Sequence, residues 1–567
     1  MKNKKGFTLV ELLAVIAILA ILVIIALPNV INLYNKAKKH AFIVEAQNVI
    51  KSATSKFIEE SSQNRELTTI SSDNDSLNLT NKKVKYYIEL DKSTGKVKKY
   101  TVSNSNYCLS SSKSYEKLTE SDVMNEDCGE FLTYEFYVSS NGNDSNKGTS
   151  KNNPLASVEK AYQLIGENNG IIHLLSDIKL QNMKFSNGKR IQIVGDGEKR
   201  TIINKLSREI SDDEFYRAGA SINIYNQTKV DIKNIILDAN EIRGISIYDS
   251  TLTMDNSEIK NGYSYQAAGS VCISSYDSDI TLNNTNIYDC NSAAYSAIQQ
   301  NGGNLNLNNC NIYNNVGRIN WGGALGIINK AKAYINGGSI KNNTHDASAG
   351  AIFVDETGSL TINNVLFDSN IAKGGSSSGG AIYAKGDLTI KNSTFQNNSG
   401  GFGGAIEFLK EFSIQNSKFY SNSSNHGGGA IYGGSDSKND VSIENCYFEG
   451  NETSSNGGAI SISSRKTNVK KSDFISNKAQ WGGAIAVAEG SIIDGCNIKN
   501  NSATTGGGAI NAKGIILKNS TVTGNTSSSK WSSICGSNIT FENITIDGTC
   551  TNPSTTWLEV NCTTLIK

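Results

Sequence analysis

Side chains able to do chemistry are thinly spread along this 567-residue chain. Cleaving a sugar polymer takes two or three carboxylates within several ångströms of the bond, or an acid-bound cation beside an Arg or Lys base. Between Gly322 and Ala509 the acidic residues fall in different phases and form no recurring patch. Asp212 and Asp213 are adjacent, but within "SREISDDEFYR", which reads as a solvated charge run. His40, His173, His345 and His426 have no metal-ligand spacing, so neither a metal site nor a cofactor is expected. The "GSSSG" of Gly375–Gly379 has the letters of a nucleophile motif, yet it lies in a low-complexity loop and not at a strand-to-helix elbow. No enzyme is therefore expected. Two features still ask for a chemical explanation. One is Glu11, a carboxylate inside the apolar run "KGFTLVELLAVIAILAI"; the other is the set of ten cysteines.

The element around Glu11 comes first. From Phe7 to Leu27 it is the only ionisable side chain. As a helix this stretch would be roughly 30 Å long, enough to cross a hydrocarbon core. A charge at that depth costs a few kcal/mol and is normally paired. Lys2, Lys4 and Lys5 precede it, a basic cytoplasmic flank. A secretory signal would instead be cut beyond the apolar core, beside small residues. Gly6, Phe7, Thr8, Leu9 and Glu11, with Pro28 further on, resemble the type IV prepilin signal of pilins and pseudopilins. The resemblance implies cleavage between Gly6 and Phe7 by a prepilin peptidase, N-methylation of Phe7, and pairing of Glu11 with the new terminal amine of a neighbouring subunit. Such an ion pair is strong in low dielectric and registers one subunit on the next.

Composition bounds the remainder. The length suggests two or three domains, and a net charge of +1 gives no bulk attraction for nucleic acid. Fifty-two Gly against three Pro fits many tight turns. Beyond Pro28, Phe42, Ala46, Val49, Ile50, Ala53 and Phe57 keep helical spacing. "VKYYIEL" and "KVKKYTV" then alternate around Asp-Lys-Ser-Thr-Gly, a hairpin signal. This segment resembles the exposed half of a pilin's long first helix packed on a small α+β headgroup. Cys108 and Cys128 resemble the disulfide that closes the C-terminal loop of many such headgroups. Disulfides are open to an exported chain, but connectivity is not readable from spacing.

From Asn308 onward one phrase recurs. An alternating strand leads to Phe-x-x-Asn, with Phe367, Phe395, Phe419, Phe448 and Phe474, then to Gly-Gly-Ala, usually followed by Ile. Ile312, Ile340, Ile498 and Val522 take the Phe position elsewhere; looser copies fall at Leu237, Ile259, Ile287 and Ile546. Gly-Gly-Ala occurs seven times, and steps are 24 to 29 residues. A single such unit cannot bury its apolar face, whereas stacked units bury a continuous core. About 13 coils at ~4.8 Å each would stack over roughly 60 Å. The phased Asn is expected to satisfy turn backbone and the Asn one coil away, worth about 1 kcal/mol. Cys310, Cys446 and Cys496 lie two residues before the ladder residue and read as buried thiols. Cys535, Cys550 and Cys562 are placed for a disulfide at the last coil. With the opening "FYVSSNGNDSNKGTSKNNPLASVEKAYQLI", whose Ala156–Leu164 reads as a capping helix, the repeats resemble right-handed parallel β-helices of the pectate-lyase-like superfamily. The repeats also resemble those of polymorphic outer-membrane adhesins.

The expected organisation is a leader (1–6), a long α-helix (7–60, membrane segment 7–27), an α+β pilin headgroup (61–132) and a large right-handed parallel β-helix (133–567). The expected function is that of a minor, tip-associated type IV pilin, inserted in the cytoplasmic membrane and then displayed outside. Its partners are other pilin subunits, and its β-helix serves adhesion to a surface glycan or a host or matrix receptor. Retention of Glu11 implies docking under another subunit. A polysaccharide-processing β-helix and an assembly primer are the alternatives. Binding is expected at the loops near Asp212, after Ile371 and after Tyr432. Trp321 and Trp481, each immediately before Gly-Gly-Ala, read first as turn packing and second as aromatic surface for a sugar ring.

Overall fold

The structure, a computed structural model, describes residues 9–63, 69–72, 77, 79, 84–104, 106–111, 113–124, 134–206, 219–264, 270–319, 322–374, 379–434, 440–528, 531–551 and 559–561, with side chains from 33 to 550. It comprises two units, Met1–Thr133 and Tyr134–Lys567.

In the first unit, helix α1 spans Leu9–Ser62. Phe42, Ala46, Val49, Ile50, Ala53 and Phe57, the residues at helical spacing, are all buried. They pack with Ile70, Tyr86, Ile88, Tyr100 and Val102 of an antiparallel sheet. Its strands are β1 (Thr69–Ser71), β2 (Lys85–Leu90), β3 (Val97–Ser103) and β4 (Cys108–Ser111), in that order. The β2–β3 turn closes on Asp91, whose carboxylate accepts from the backbone N–H of Ser93 and Thr94 at 3.0 Å. Cys108 is disulfide-bonded; Cys128 lies outside the described residues, as do Gly6, Phe7 and the side chain of Glu11. Among the described residues no helix is long and apolar enough to cross a membrane. The apolar segment 7–27 falls outside the described side chains.

The second unit is a right-handed parallel β-solenoid of about 13 turns. Its start is covered by Val158–Ile165, a helix capped by Ser157 that buries Val158, Ala161 and Ile165. One coil shows the plan. Ile382–Ala384 leads to Asp387–Lys391, then Thr394–Gln396, then Ser399–Gly400, and each strand pairs in parallel with its counterpart one coil on. The corners are made by single left-handed residues such as Asn392 and Asn397, at φ of 52° and 55°. Asn tolerates that region better than other side-chain-bearing residues.

Phase-locked side chains then form ladders. Phe367, Phe395, Phe419, Phe448 and Phe474 stack with centroids 4.5–4.9 Å apart and ring planes within 9°. Three residues on, Asn315, Asn343, Asn370, Asn398, Asn422, Asn451, Asn477, Asn501 and Asn525 form a second ladder. Each Nδ2 donates to the next Oδ1 at 2.9–3.0 Å. Every amide in this ladder also donates to a carbonyl of the coil before, as Asn422 does to Phe395 O. In five of the seven Gly-Gly-Ala triplets the first glycine takes positive φ, 63° at Gly403 and 68° at Gly457 for example. A Cβ on the second would strike the carbonyl of its counterpart one coil on, Gly429 against Gly458 for example. The pair is therefore a backbone requirement.

The cross-section is not constant. Asp238 connects to Arg243 through residues 239–242, whereas the next coil connects Lys260 to Ile273 through 261–272. Within the longer connection Tyr263–Ser264 begins a third sheet of 11 strands. At this step a Cys272–Cys290 disulfide joins two successive coils.

Candidate functional site

Packing along the solenoid fixes which outward positions can hold a ligand. On the sheet that follows Gly-Gly-Ala, the buried isoleucines Ile352, Ile382, Ile406, Ile431, Ile460, Ile485 and Ile510 align coil by coil. The residue after each points to the opposite face, because side chains alternate along a strand. That row reads Phe353, Tyr383, Glu407, Tyr432, Ser461, Ala486, Asn511, Cys535. Its first half is filled. Phe353 and Tyr383 pack with Tyr295, Ala294 and Ala349 into an apolar cluster outside the main core, and Phe402 lies 4.9 Å from both His426 and Tyr432.

Beyond Tyr432 the row turns to small residues, and a trough opens. It holds about 540 Å³, within the usual range for ligand sites. Ser461 and Ala486 form its recessed floor, at 4% and 5% exposure. Ser463, Asn511, Lys513 and Ser537 supply polar edges. One wall is the residue preceding Gly-Gly: Asn456, then Trp481, bridged to one another as neighbouring backbone. Gly506 comes next in that wall, and a Cβ on it would meet the indoles of both Trp481 and Trp531 at 3.1 Å. The half-buried Trp481 ring therefore packs beside Gly506, as the Trp531 ring does, and lines the trough.

This arrangement offers an aromatic surface, a shallow apolar floor, amides and hydroxyls. It can stack on the apolar face of a sugar ring while hydrogen-bonding its hydroxyls. No Asp or Glu is among the described residues lining it, and Lys513 is the ionisable side chain at its rim besides the Cys535 thiol.

Trp481, read first as turn packing, lines the trough. Trp321 and loop segments 207–218, 375–378 and 435–439 lie outside the described residues. Ser461 and Ala486 as the floor, and Asn511 as an edge, were not foreseen. Their signal is nevertheless in the chain: the residue after each Ala-Ile shrinks from Tyr or Phe to Ser, Ala and Asn. Cys310, Cys446 and Cys496 are buried thiols as expected, donating to carbonyls such as Glu444 O at 3.3 Å. Burial pushes Cys310 up to about 11 and Cys446 and Cys496 up to about 12. Cys550 is disulfide-bonded, with Cys562 outside the described residues.

In sequence, residues 1–27 match the prokaryotic N-terminal methylation motif, and residues 220–374 and 332–492 match the right-handed beta helix region. No curated protein matches the chain. Among solved structures it is similar to a GH136 lacto-N-biosidase from Eubacterium ramulus, at 12% identity and a TM-score of 0.30, over 59% of this chain and 68% of that one. A rhamnogalacturonan lyase gives 13% and 0.25, over 60% and 87%. The pectate lyase Pel9A gives 15% and 0.23, over 60% and 79%. Likeness at this level carries nothing about activity.

Proposed function

We propose, from a chain that carries a prepilin-type methylation motif and a right-handed β-helix, that it is a minor type IV pilin whose solenoid attaches cells to saccharide surfaces. The trough beside Trp481 is the observation that carries the binding half of this reading: an aromatic wall over a small, polar-edged floor suits a saccharide, and its described lining holds no carboxylate to cut one. The display half rests on the N-terminal motif. Gly6 and Phe7 are the cleavage and methylation site, Glu11 pairs with the terminal amine of the adjacent subunit, and Cys108–Cys128 closes the headgroup loop. The chain enters the cytoplasmic membrane as a precursor, meets a prepilin peptidase and other pilin subunits, and ends outside the cell.

The solenoid has a hydrophobic core of its own, so residues 134–567 can be tested directly on a panel of immobilised glycans. Binding that is lost in Trp481→Ala, with the polymer recovered intact, supports attachment. Release of unsaturated or reducing sugar would favour a polysaccharide-processing solenoid. Absence of binding to any glycan would remove the saccharide reading.

A further inference from the structure

The solenoid has a second recess, different from the trough in both place and chemistry. It lies where the third sheet begins, at the step from the 239–242 connection to the 261–272 connection. The Tyr263–Ser264 strand begins that sheet, and beside it Gly262 and Tyr263 line a notch of about 600 Å³. Gly262 lies against Cys272, which is bonded to Cys290. That bond fixes the wall formed by Asp289 and Asn291, so the notch exists before any ligand arrives.

Three charges line it: Glu241, Asp289 and Arg318. Arg318 lies over the Tyr263 ring, 5.9 Å from its centroid. Among the described residues none of the three has an ion-pair partner. Asn291 Oδ1 is buried in the wall with no hydrogen-bond donor to it. The neighbouring amides are already committed: Asn261 donates to Asp238 at 3.1 Å, and Asn240 donates to the carbonyls of Asn204 and Leu206. The notch therefore presents an excess of acceptors, two carboxylates against a single guanidinium donor. A ligand that satisfies it must be small, rich in N–H and O–H donors, and positive, with some oxygen for Arg318 to reach. A carboxylate-bearing sugar would meet net repulsion.

We propose that this notch is a binding site for an amino-bearing saccharide unit. The ammonium faces Glu241 and Asp289, and Arg318 donates to a ring or hydroxyl oxygen. The site is independent of the trough, which is tested with polymers and Trp481. The test here is titration of the detergent-solubilised full chain with single sugars at pH 6, followed by calorimetry and saturation-transfer NMR. The probes are glucosamine, N-acetylglucosamine, glucose and glucuronate. Glucosamine is expected to bind about tenfold more tightly than its N-acetyl form, a gap of about 1.4 kcal/mol, with glucuronate weakest. Asp289→Asn and Glu241→Gln should each narrow that gap. The wild-type comparison stands even if a variant misfolds. Equal affinity for the amine and its N-acetyl form, tighter binding of glucuronate, or no binding of any of the four would overturn the proposal.

Discussion

Single buried groups set how this chain responds to pH and reagents. His345 occupies an inward row otherwise filled by Ser292, Gly317 and Ala372, and its ring fills the space beside Gly317. Its Nδ1 accepts from the backbone N–H of Ala347 and Ser348, each at 2.9 Å. Burial lowers its pKa from 6.5 to about 4. The unfolded chain therefore binds a proton between those values that the folded chain refuses. The stabilisation is fully present above pH 6.5 and is lost as pH falls towards 4, at most on the order of 3 kcal/mol. The thermal midpoint of residues 134–567 should fall across this window, and His345→Ala should flatten that fall even though it lowers the midpoint overall. An unchanged slope would contradict it. Cys446 and Cys496 make a second case. With pKa values pushed up to about 12, they carry almost no thiolate at pH 8, the form that reacts. Iodoacetamide should leave both unmodified in the native protein and label both in denaturant; native labelling would contradict their burial. That these thiols point inward was legible from their place two residues before the ladder. The Cys272–Cys290 bond was not, because spacing alone does not say which of ten cysteines meet.

The ladders carry stability at the scale of elements. Phe419 is fully buried and stacked on both sides, at 4.9 and 4.8 Å. Phe419→Ala should cost roughly 3–5 kcal/mol. Asn422 is equally buried, donates to Phe395 O and Asn451 Oδ1, and accepts from the N–H and Nδ2 of Asn398. Because Asn422→Ala would strand several buried partners, its cost rises from the sequence-based 1 kcal/mol to about 3 kcal/mol. Denaturant unfolding of both variants checks this, and near-neutral Asn422→Ala would mean that the ladder is incidental. The repeat was legible because identical rows must face the same neighbours in every coil. The helix at the solenoid's start was also legible: it was expected over Ala156–Leu164 and runs Val158–Ile165. The trough was harder to read, since it comes from small residues replacing large ones in an outward row. The step in cross-section was harder still, because loop length alone does not say where a new sheet begins.

At the scale of the whole molecule, one chain carries an N-terminal methylation motif and a right-handed β-helix. Mass spectrometry of the N-terminal peptide from sheared filaments should find N-methylated Phe7, and Glu11→Ala should be inserted and cleaved yet poorly incorporated. A terminus beyond Ala26 would indicate a secretory signal instead, and normal incorporation of Glu11→Ala would remove the pairing argument. The Cys272–Cys290 disulfide accords with a chain that matures outside the reducing cytoplasm. The most direct test of display for attachment is to place Trp481→Ala in the producing cell and measure surface attachment while counting filaments and the subunit exposed on them. An aromatic anchor at the centre of a contact typically carries 2 kcal/mol or more. Filament number and subunit display should therefore stay at wild-type levels while attachment falls about tenfold or more. Attachment unchanged, with the variant folded and on the surface, would contradict the account.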